Sequence, residues 1–245
     1  MFSDLSSDRI PSAVVRAAGH WDALHREQAA RSQEERGLTI AVSRQTGTLG
    51  EDVAQAVGRQ LDWPVFDHEL LEQMANAMNV RVDLLETVDE RHQSWLLESI
   101  EALAPKSTVS ETSYLRYLVE TICSLAAHGN CVIVGRGAAQ FLPTASTLRV
   151  RIVAPMAHRI ETVRKQRQMT HREAERYVTT RERQRLTFVK EHFQKDASQP
   201  DQYDLTLNTQ HCKPENCAEL IVAAAKLRDA CVQHNQPRVL TTAGH

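Results

Sequence analysis

The chain of 245 residues lacks several features that would place it at a membrane or on nucleic acid. No run approaches the roughly 18 apolar residues that a membrane-spanning helix needs. Met1–Asp4 opens without the charged and apolar regions of a secretory signal. The net charge is only -2, so the whole chain has no electrostatic attraction for nucleic acid or a lipid surface. We therefore expect a cytoplasmic protein without nucleic-acid or membrane partners.

Signatures of metal and nucleophilic chemistry are also missing. The five cysteines form no C-x-x-C pair, and this odd number is most simply explained by reduced thiols. Cys212 and Cys217 lie close to His211 in sequence, but no second ligand pair accompanies them to complete a metal site. No H-x-x-x-H or H-E-x-x-H pair occurs, which removes support for zinc chemistry. A G-x-S-x-G nucleophile motif is absent as well.

The middle of the chain alternates short apolar runs with helical patterns. The apolar runs predict five strands, at Leu38–Val42, Pro64–Asp67, Cys131–Val134, Leu148–Val153 and Tyr203–Leu207. The helical patterns lie at Val53–Leu61, 69–128 with a break at Ala104–Ser107, 156–195 and Pro214–Val232. This alternation predicts an α/β fold with a parallel sheet covered on both faces. Ligands of such sheets bind beyond the carboxyl ends of the strands.

The two ends of the chain look like additions to this α/β region. Residues 1–36 are polar and rich in Arg, Glu and Gln, and Pro11–Glu35 has the pattern of a helix. We expect an N-terminal helical extension that offers a docking surface for a second copy of the chain or for another protein. Residues 233–245 are expected to form a loose tail.

The most informative segment is the first strand together with the residues that follow it. Leu38–Val42 leads into Ser43–Gly50, which contains two glycines and leads into a helical pattern. This order places backbone N–H groups and a helix N-terminus where an anion is stabilised. It is the frame of a phosphate-binding loop, but the lysine and hydroxyl of the G-x-x-x-x-G-K-[ST] signature are missing.

Five segments, taken in order, resemble the cytidylate kinase-like family of nucleoside-monophosphate kinases. They are Ile40–Gly47, Pro64–Asp67, Val132–Ala138, Arg149–Pro155 and Tyr203–Thr209. The resemblance implies a P-loop NTPase-like three-layer sandwich over residues 37–232, with a five-stranded parallel sheet. It also implies a helical acceptor-binding insert at 69–128 and an arginine-rich lid at 156–195. The family transfers the γ-phosphoryl group of ATP to CMP or dCMP with Mg²⁺, so small-molecule nucleotides are the expected partners.

The resemblance also assigns roles to individual residues. Donor phosphate is expected on the loop residues Thr46, Gly47, Thr48, Leu49 and Gly50. The lid arginines Arg181, Arg183 and Arg185 are the expected catalytic residues, and Glu182 takes the position of an acidic acceptor contact. On a helix, Arg181 and Arg185 share a face, whereas Arg183 points elsewhere. The alternative for most arginines of 156–195 is a solvated charged helix.

Three further acceptor contacts each have a structural alternative. Arg136 follows a strand directly and by resemblance grips the α-phosphate of the acceptor, or else it caps a carbonyl or pairs with Asp67. Asp67 by resemblance organises the acceptor end of the site, or else it caps the helix that starts at His68. Arg44 contacts the loop or a base, or lies on the surface. Asp204 is expected to be structural.

The phosphate loop departs from the usual signature at several positions. Leu49 stands at the second glycine, Gly50 at the lysine and Asp52 at the Ser/Thr that holds Mg²⁺. The acids Glu51 and Asp52 favour the helix dipole and either compete with phosphate or bind Mg²⁺. The sequence therefore leaves three functions open: a (d)CMP kinase, a kinase of another acceptor, or a catalytically impaired nucleotide sensor.

Overall fold

The computed structural model describes residues 37–67, 69–71, 74 and 109–234. The expected helix at Pro11–Glu35, the break at Ala104–Ser107 and the tail beyond residue 234 lie outside these ranges. The strands are β1 (Thr39–Arg44), β2 (Val65–Phe66), β3 (Cys131–Val134), β4 (Thr147–Val153) and β5 (Leu205–Asn208). The helices are α1 (Gly50–Leu61), α2 (Val109–His128), α3 (Ala138–Phe141), α4 (Met156–Arg167), α5 (His171–Phe193) and α6 (Pro214–His234).

The five strands form one parallel sheet in the order β2-β3-β1-β4-β5. The central strand β1 pairs on both sides, with Ile40 opposite Val132 of β3 and Leu148 of β4. The predicted α/β fold with a five-stranded parallel sheet is confirmed. The bounds of β3 match the prediction and those of the other strands differ by at most two residues. Strand β1 extends to Arg44, which carries it into the loop segment that starts at Ser43.

Alternation along the strands separates two apolar layers. Ile40 and Val42 point to the face covered by α1 and α6. Ala41 and Ile133 point to the opposite face, which is covered by α2, α3 and the end of α5. Helices on both faces bury the sheet, which is why its strands read as continuous apolar runs.

The charged stretch 156–195 forms two helices rather than one. The helix α4 ends at Gln168, whose φ is 53°, and α5 begins after Thr170. The Thr170 hydroxyl accepts the Glu173 N–H at 3.3 Å, while the Glu173 carboxylate accepts the Thr170 N–H at 2.8 Å. This reciprocal pair is a capping box, and its T-x-x-E signature marks the start of α5.

No helix in the described parts of the chain is both long enough and apolar enough to cross a membrane.

Candidate functional site

The loop between β1 and α1 is fixed by contacts at both ends. Gly47 has a φ of 85°, and a Cβ there would lie 2.5 Å from the carbonyl oxygen of Arg159, so the position requires glycine. The Thr48 hydroxyl donates to the Gln45 carbonyl at 2.8 Å. The Thr209 hydroxyl, beyond β5, donates to the Thr48 carbonyl at 3.0 Å. The loop is therefore held in one shape from both α4 and the end of β5.

The backbone N–H groups of this loop remain largely available. In the described chain, the amides of Gly47, Thr48 and Leu49 donate to no other protein group. Leu49 is the N-cap of α1 and its side chain provides no cap. Uncommitted amides at a helix N-terminus favour an anion. This is the geometry that the sequence predicted for phosphate binding.

Leu49 shows the cost of the missing glycine. Its φ of 57° and ψ of 25° lie in the left-handed region, which suits glycine and strains a side chain. The chain thus has a leucine in a backbone conformation that favours glycine.

A cleft of about 640 Å³ opens beside the loop. It lies beyond the carboxyl ends of β1 and β3 and is closed on one side by α5. Six arginines of the described chain line it: Arg44, Arg136, Arg151, Arg167, Arg181 and Arg185. The acids that line it are Glu51, Asp52, Glu69 and Glu182. Guanidinium groups grip phosphate through paired donors, so the balance of charge at this cleft favours a phosphorylated ligand.

The lid arginines occupy different positions. The Arg185 Nη1 donates to the Thr46 hydroxyl at 3.1 Å and to the Arg44 carbonyl at 3.3 Å. Arg181 lines the cleft, with its Cζ 5.7 Å from the centre of the Tyr177 ring. Arg183 is exposed and does not line the cleft. The structure thus brings together Arg181 and Arg185, which share a helix face, and leaves Arg183 outside.

The environment of Arg185 disfavours its positive charge. Burial and the neighbouring Arg44 guanidinium lower its pKa to about 10, against the opposing pull of Glu182 and Glu51. Arg185 therefore remains charged at neutral pH, in a place where an anionic ligand would relieve the repulsion.

Glu182 faces the phosphate loop. Its Oε2 accepts the Thr46 N–H at 3.0 Å and lies 3.7 Å from Nη1 of Arg159. The Thr46 amide is therefore already paired with a carboxylate. The family resemblance, by contrast, places Glu182 at the acceptor.

Arg136 follows the end of β3, and Arg44 is the last residue of β1. Arg136 has a φ of 49° between two glycines that also have positive φ. It lines the cleft, with its Cζ 5.8 Å from the centre of the Phe188 ring. Arg44 is buried rather than on the surface, and its Nη2 donates to Glu51 Oε1 at 2.6 Å. A side chain at Gly135 would collide with the Arg44 guanidinium.

Asp67 and Asp204 both make structural contacts. Asp67 Oδ1 accepts the N–H of Leu70 at 2.9 Å, as a helix N-cap does. Asp204 pairs with Arg149 through two hydrogen bonds, with Arg149 Nη2 2.8 Å from its Oδ1 and Nε 3.2 Å from its Oδ2. This ion pair ties the start of β5 to β4.

Carboxylates suited to a metal are sparse. Asp52 is exposed at the cleft in the first turn of α1, while the neighbouring Glu51 pairs with Arg44. Among the described residues no three His, Cys, Asp or Glu side chains converge on one point. Mg²⁺ commonly takes one or two carboxylates and completes its shell with phosphate oxygens and water. Asp52 fits that limited role.

Sequence reasoning missed a polar group on the floor of the cleft. Arg151 of β4 contacts Ser43 of β1 and Tyr203, and Gln140 of α3 joins them. The signal was an arginine that alternates with the apolar residues Leu148, Val150 and Ile152 along β4. We interpreted Arg151 only as part of a segment that resembles the family and assigned it no hydrogen-bond partner.

The parallel sheet, the loop after β1 and the cleft define a P-loop kinase-like fold. The chain belongs to the cytidylate kinase-like family, whose model matches residues 39–211. The resemblance drawn from the sequence is therefore confirmed. No curated protein matches the sequence significantly.

Solved structures match the chain at low sequence identity. An uncharacterized protein from Eubacterium ventriosum matches with a TM-score of 0.61 and 16% identity, over 79% of this chain and 99% of that chain. Shikimate kinase from Bacteroides thetaiotaomicron matches with a TM-score of 0.42 and 14% identity, over 77% and 98%. A gluconokinase from Sinorhizobium meliloti matches with a TM-score of 0.42 and 13% identity, over 83% and 100%.

Proposed function

We propose that the chain transfers the γ-phosphoryl group of ATP to CMP, dCMP or a closely related small acceptor. The observation that carries the proposal is the set of uncommitted amides at Gly47, Thr48 and Leu49. They lie at the edge of a cleft that six arginines line. Phosphoryl transfer requires positioning and positive charge more than covalent chemistry, and this cleft supplies both. Family membership supports the same reaction.

Within this proposal the donor phosphates lie on the loop. The amides of Gly47, Thr48 and Leu49 bind their oxygens, and Thr46 joins them once Glu182 moves away. Arg185 contacts the Thr46 hydroxyl and provides positive charge beside the transferred group. Asp52 provides one carboxylate for Mg²⁺, which neutralises charge on the phosphates when bound.

The acceptor lies on the β3 side of the cleft. Arg136 leaves β3 directly into the cleft, where its guanidinium can hold a monophosphate. Arg181 faces the same cleft from α5 and connects the acceptor side with the loop. The choice of CMP or dCMP as acceptor rests on the family rather than on a base contact.

A nucleotide-binding protein with little or no turnover is the second candidate. The observation in its favour is the Glu182 carboxylate on the Thr46 amide, together with the absence of a loop lysine. Such a protein would bind nucleotide and change the position of α5 without transferring phosphate.

Steady-state ADP release with Mg²⁺, ATP and each of CMP, dCMP, UMP and AMP separates these functions. The proposal expects turnover with CMP or dCMP well above the rate without acceptor. Nucleotide binding without turnover for any acceptor would favour the second candidate. If turnover occurs only with an acceptor outside this panel, the chain is a kinase, but its acceptor is neither CMP nor dCMP.

A further inference from the structure

Arg151 is a buried cation on β4, next to the central strand β1. It lies on β4 opposite Ser43 of β1, and 7% of its surface is exposed. Its hydrogen bonds in the described chain go to three neutral oxygens: the Tyr203 hydroxyl, the Ser43 hydroxyl and the Ala197 carbonyl. Burial of a guanidinium without a paired carboxylate costs free energy. The presence of Arg151 on a buried strand therefore requires an explanation.

These contacts fix one end of the guanidinium. The Arg151 Nη1 donates to the Tyr203 oxygen at 2.9 Å, to Ser43 Oγ at 3.4 Å and to the Ala197 carbonyl. Tyr203 also donates to the Ala197 carbonyl at 2.8 Å and accepts from Gln140 Nε2 at 3.0 Å. The Tyr203 ring lies 5.2 Å from the Arg151 Cζ. Together they hold the side chain in one orientation.

The other edge of the guanidinium is uncommitted. Arg151 lines the cleft, and its Nε and Nη2 donate to no residue in the described parts of the chain. These two atoms form the pair of parallel donors that grips phosphate or carboxylate. Hydrogen bonds from Ser198 and Gln199 lower the pKa of Asp196, and the charge of Arg151 adds to this effect. The Asp196 carboxylate therefore already has hydrogen-bond partners other than Arg151.

The position of Arg151 separates it from the phosphate loop. Its partners Tyr203 and Gln140 belong to the face of the sheet that α3 and α5 cover. The helix α1, whose N-terminus would bind the donor phosphates, packs on the opposite face. The free edge of Arg151 and the loop amides therefore line one cleft from opposite faces of the sheet.

We propose that Arg151 is a phosphate-binding residue on the floor of the cleft and that it holds the phosphate group of a phosphorylated acceptor. The identity of that acceptor as a nucleoside monophosphate rests on the proposed function. The site itself requires only a phosphate monoester or inorganic phosphate. Ser43 and Tyr203 act as positioning residues that aim the free edge of the guanidinium into the cleft.

Calorimetric titration of CMP, cytidine and inorganic phosphate, with ADP and Mg²⁺ present to fill the loop, tests this site. Arg151→Met is expected to weaken binding of CMP and phosphate by about tenfold or more, while cytidine binding stays unchanged. Arg151→Lys keeps the charge but loses the fork and should fall between wild type and Arg151→Met. Equal weakening of CMP and cytidine, or no weakening of either, would overturn the proposal.

Arg149→Met is the matched control. Arg149 lies two residues earlier on β4 and points to the same face, but pairs with Asp204 and does not line the cleft. It removes the same charge and should leave CMP and phosphate binding unchanged. A loss equal to that of Arg151→Met would assign the effect to net charge or to the strand, and the proposal would fail.

Wild-type protein provides a measurement that does not depend on whether the variants fold. Nitrogen-15 NMR of the arginine side chains, with Arg151 assigned from Arg151→Lys, should show its Nε–H moving on addition of CMP or phosphate but not of cytidine. An unmoved signal at saturating CMP would overturn the site. If wild type binds phosphate but no nucleotide, the proposed function fails, whereas a phosphate-induced shift at Arg151 still supports this site.

Discussion

The carboxylate of Glu182 accepts the backbone N–H of Thr46 at 3.0 Å, across 136 residues of sequence. The contact joins the lid helix α5 to the first amide of the phosphate loop. Arg185, less than one turn later, donates to the Thr46 hydroxyl. In the described structure α5 therefore contacts the loop through one carboxylate and one guanidinium, and under the proposed function this carboxylate competes with a phosphate oxygen for the Thr46 amide.

Removing the Glu182 charge should strengthen phosphate binding at the loop. In Glu182→Gln the Thr46 amide and Arg159 lose a charged competitor, and a hydrogen bond to a charged group contributes about 1.5–3 kcal/mol. We expect Mg-ATP or ADP affinity, measured by calorimetry, to rise by about tenfold.

The control for this variant is Glu175→Gln. Glu175 lies on the same helix, is exposed and does not line the cleft, so its substitution removes the same net charge without touching the loop. We expect no change in its nucleotide affinity. Weaker nucleotide binding in Glu182→Gln would show that Glu182 supports ligand binding instead of competing with it.

Turnover should depend on Arg185 far more than on Arg183. The Arg185 side chain is mostly buried against Thr46 and Arg44, whereas Arg183 is exposed on the same helix. Under the proposed function, which has no loop lysine, Arg181, Arg185 and Mg²⁺ would neutralise the charge of the transferred group. We expect kcat to fall at least about tenfold in Arg185→Ala and to remain near wild type in Arg183→Ala. Similar rates for the two variants would remove Arg185 from the mechanism.

Arg136 should act on the acceptor rather than on the donor. Its guanidinium enters the cleft from the end of β3, on the side away from α1. Loss of one charge-assisted hydrogen bond is worth about 1.5–3 kcal/mol, so Arg136→Ala should weaken CMP binding by about tenfold to a hundredfold. ATP affinity should change little. Calorimetry with each ligand separately checks this, and equal losses for both ligands would contradict an acceptor role.

Leu49→Gly should stabilise the protein. The left-handed backbone of Leu49 strains a side chain by roughly 1 kcal/mol, and glycine removes that strain. Asp62, at the other end of α1, has a similar φ of 55°. Asp62→Gly is therefore a control for backbone strain away from the site. Both variants should gain stability in urea unfolding, and only Leu49→Gly should change nucleotide affinity. A lower unfolding free energy for Leu49→Gly would show that the leucine side chain stabilises the loop.

The fold could be predicted from the sequence because its signals are local. Apolar runs at Leu38–Val42 and Cys131–Val134 mark buried parallel strands, and the loop after the first strand marks the carboxyl edge of the sheet. The T-x-x-E signature at Thr170 indicates that 156–195 divides into two helices. We did not predict this division, because the many charged residues of the stretch gave one continuous helical pattern.

The candidate site was predicted in part. Arg181 and Arg185 could be placed together from their spacing, and Arg136 from its position after a strand. The sequence could not predict the contact of Glu182 with Thr46 or the cluster around Arg151. Both join residues more than 50 positions apart through side-chain geometry. The helix-cap role of Asp67 was one of two alternatives that local sequence allowed.

A crystal structure with an ATP analogue, Mg²⁺ and CMP tests the central claim most directly. We expect phosphate oxygens to lie within hydrogen-bonding distance of the amides of Gly47, Thr48 and Leu49. We also expect the Glu182 carboxylate to have left the Thr46 amide. Phosphate bound elsewhere, with Glu182 still on Thr46 and the three amides unused, would contradict it.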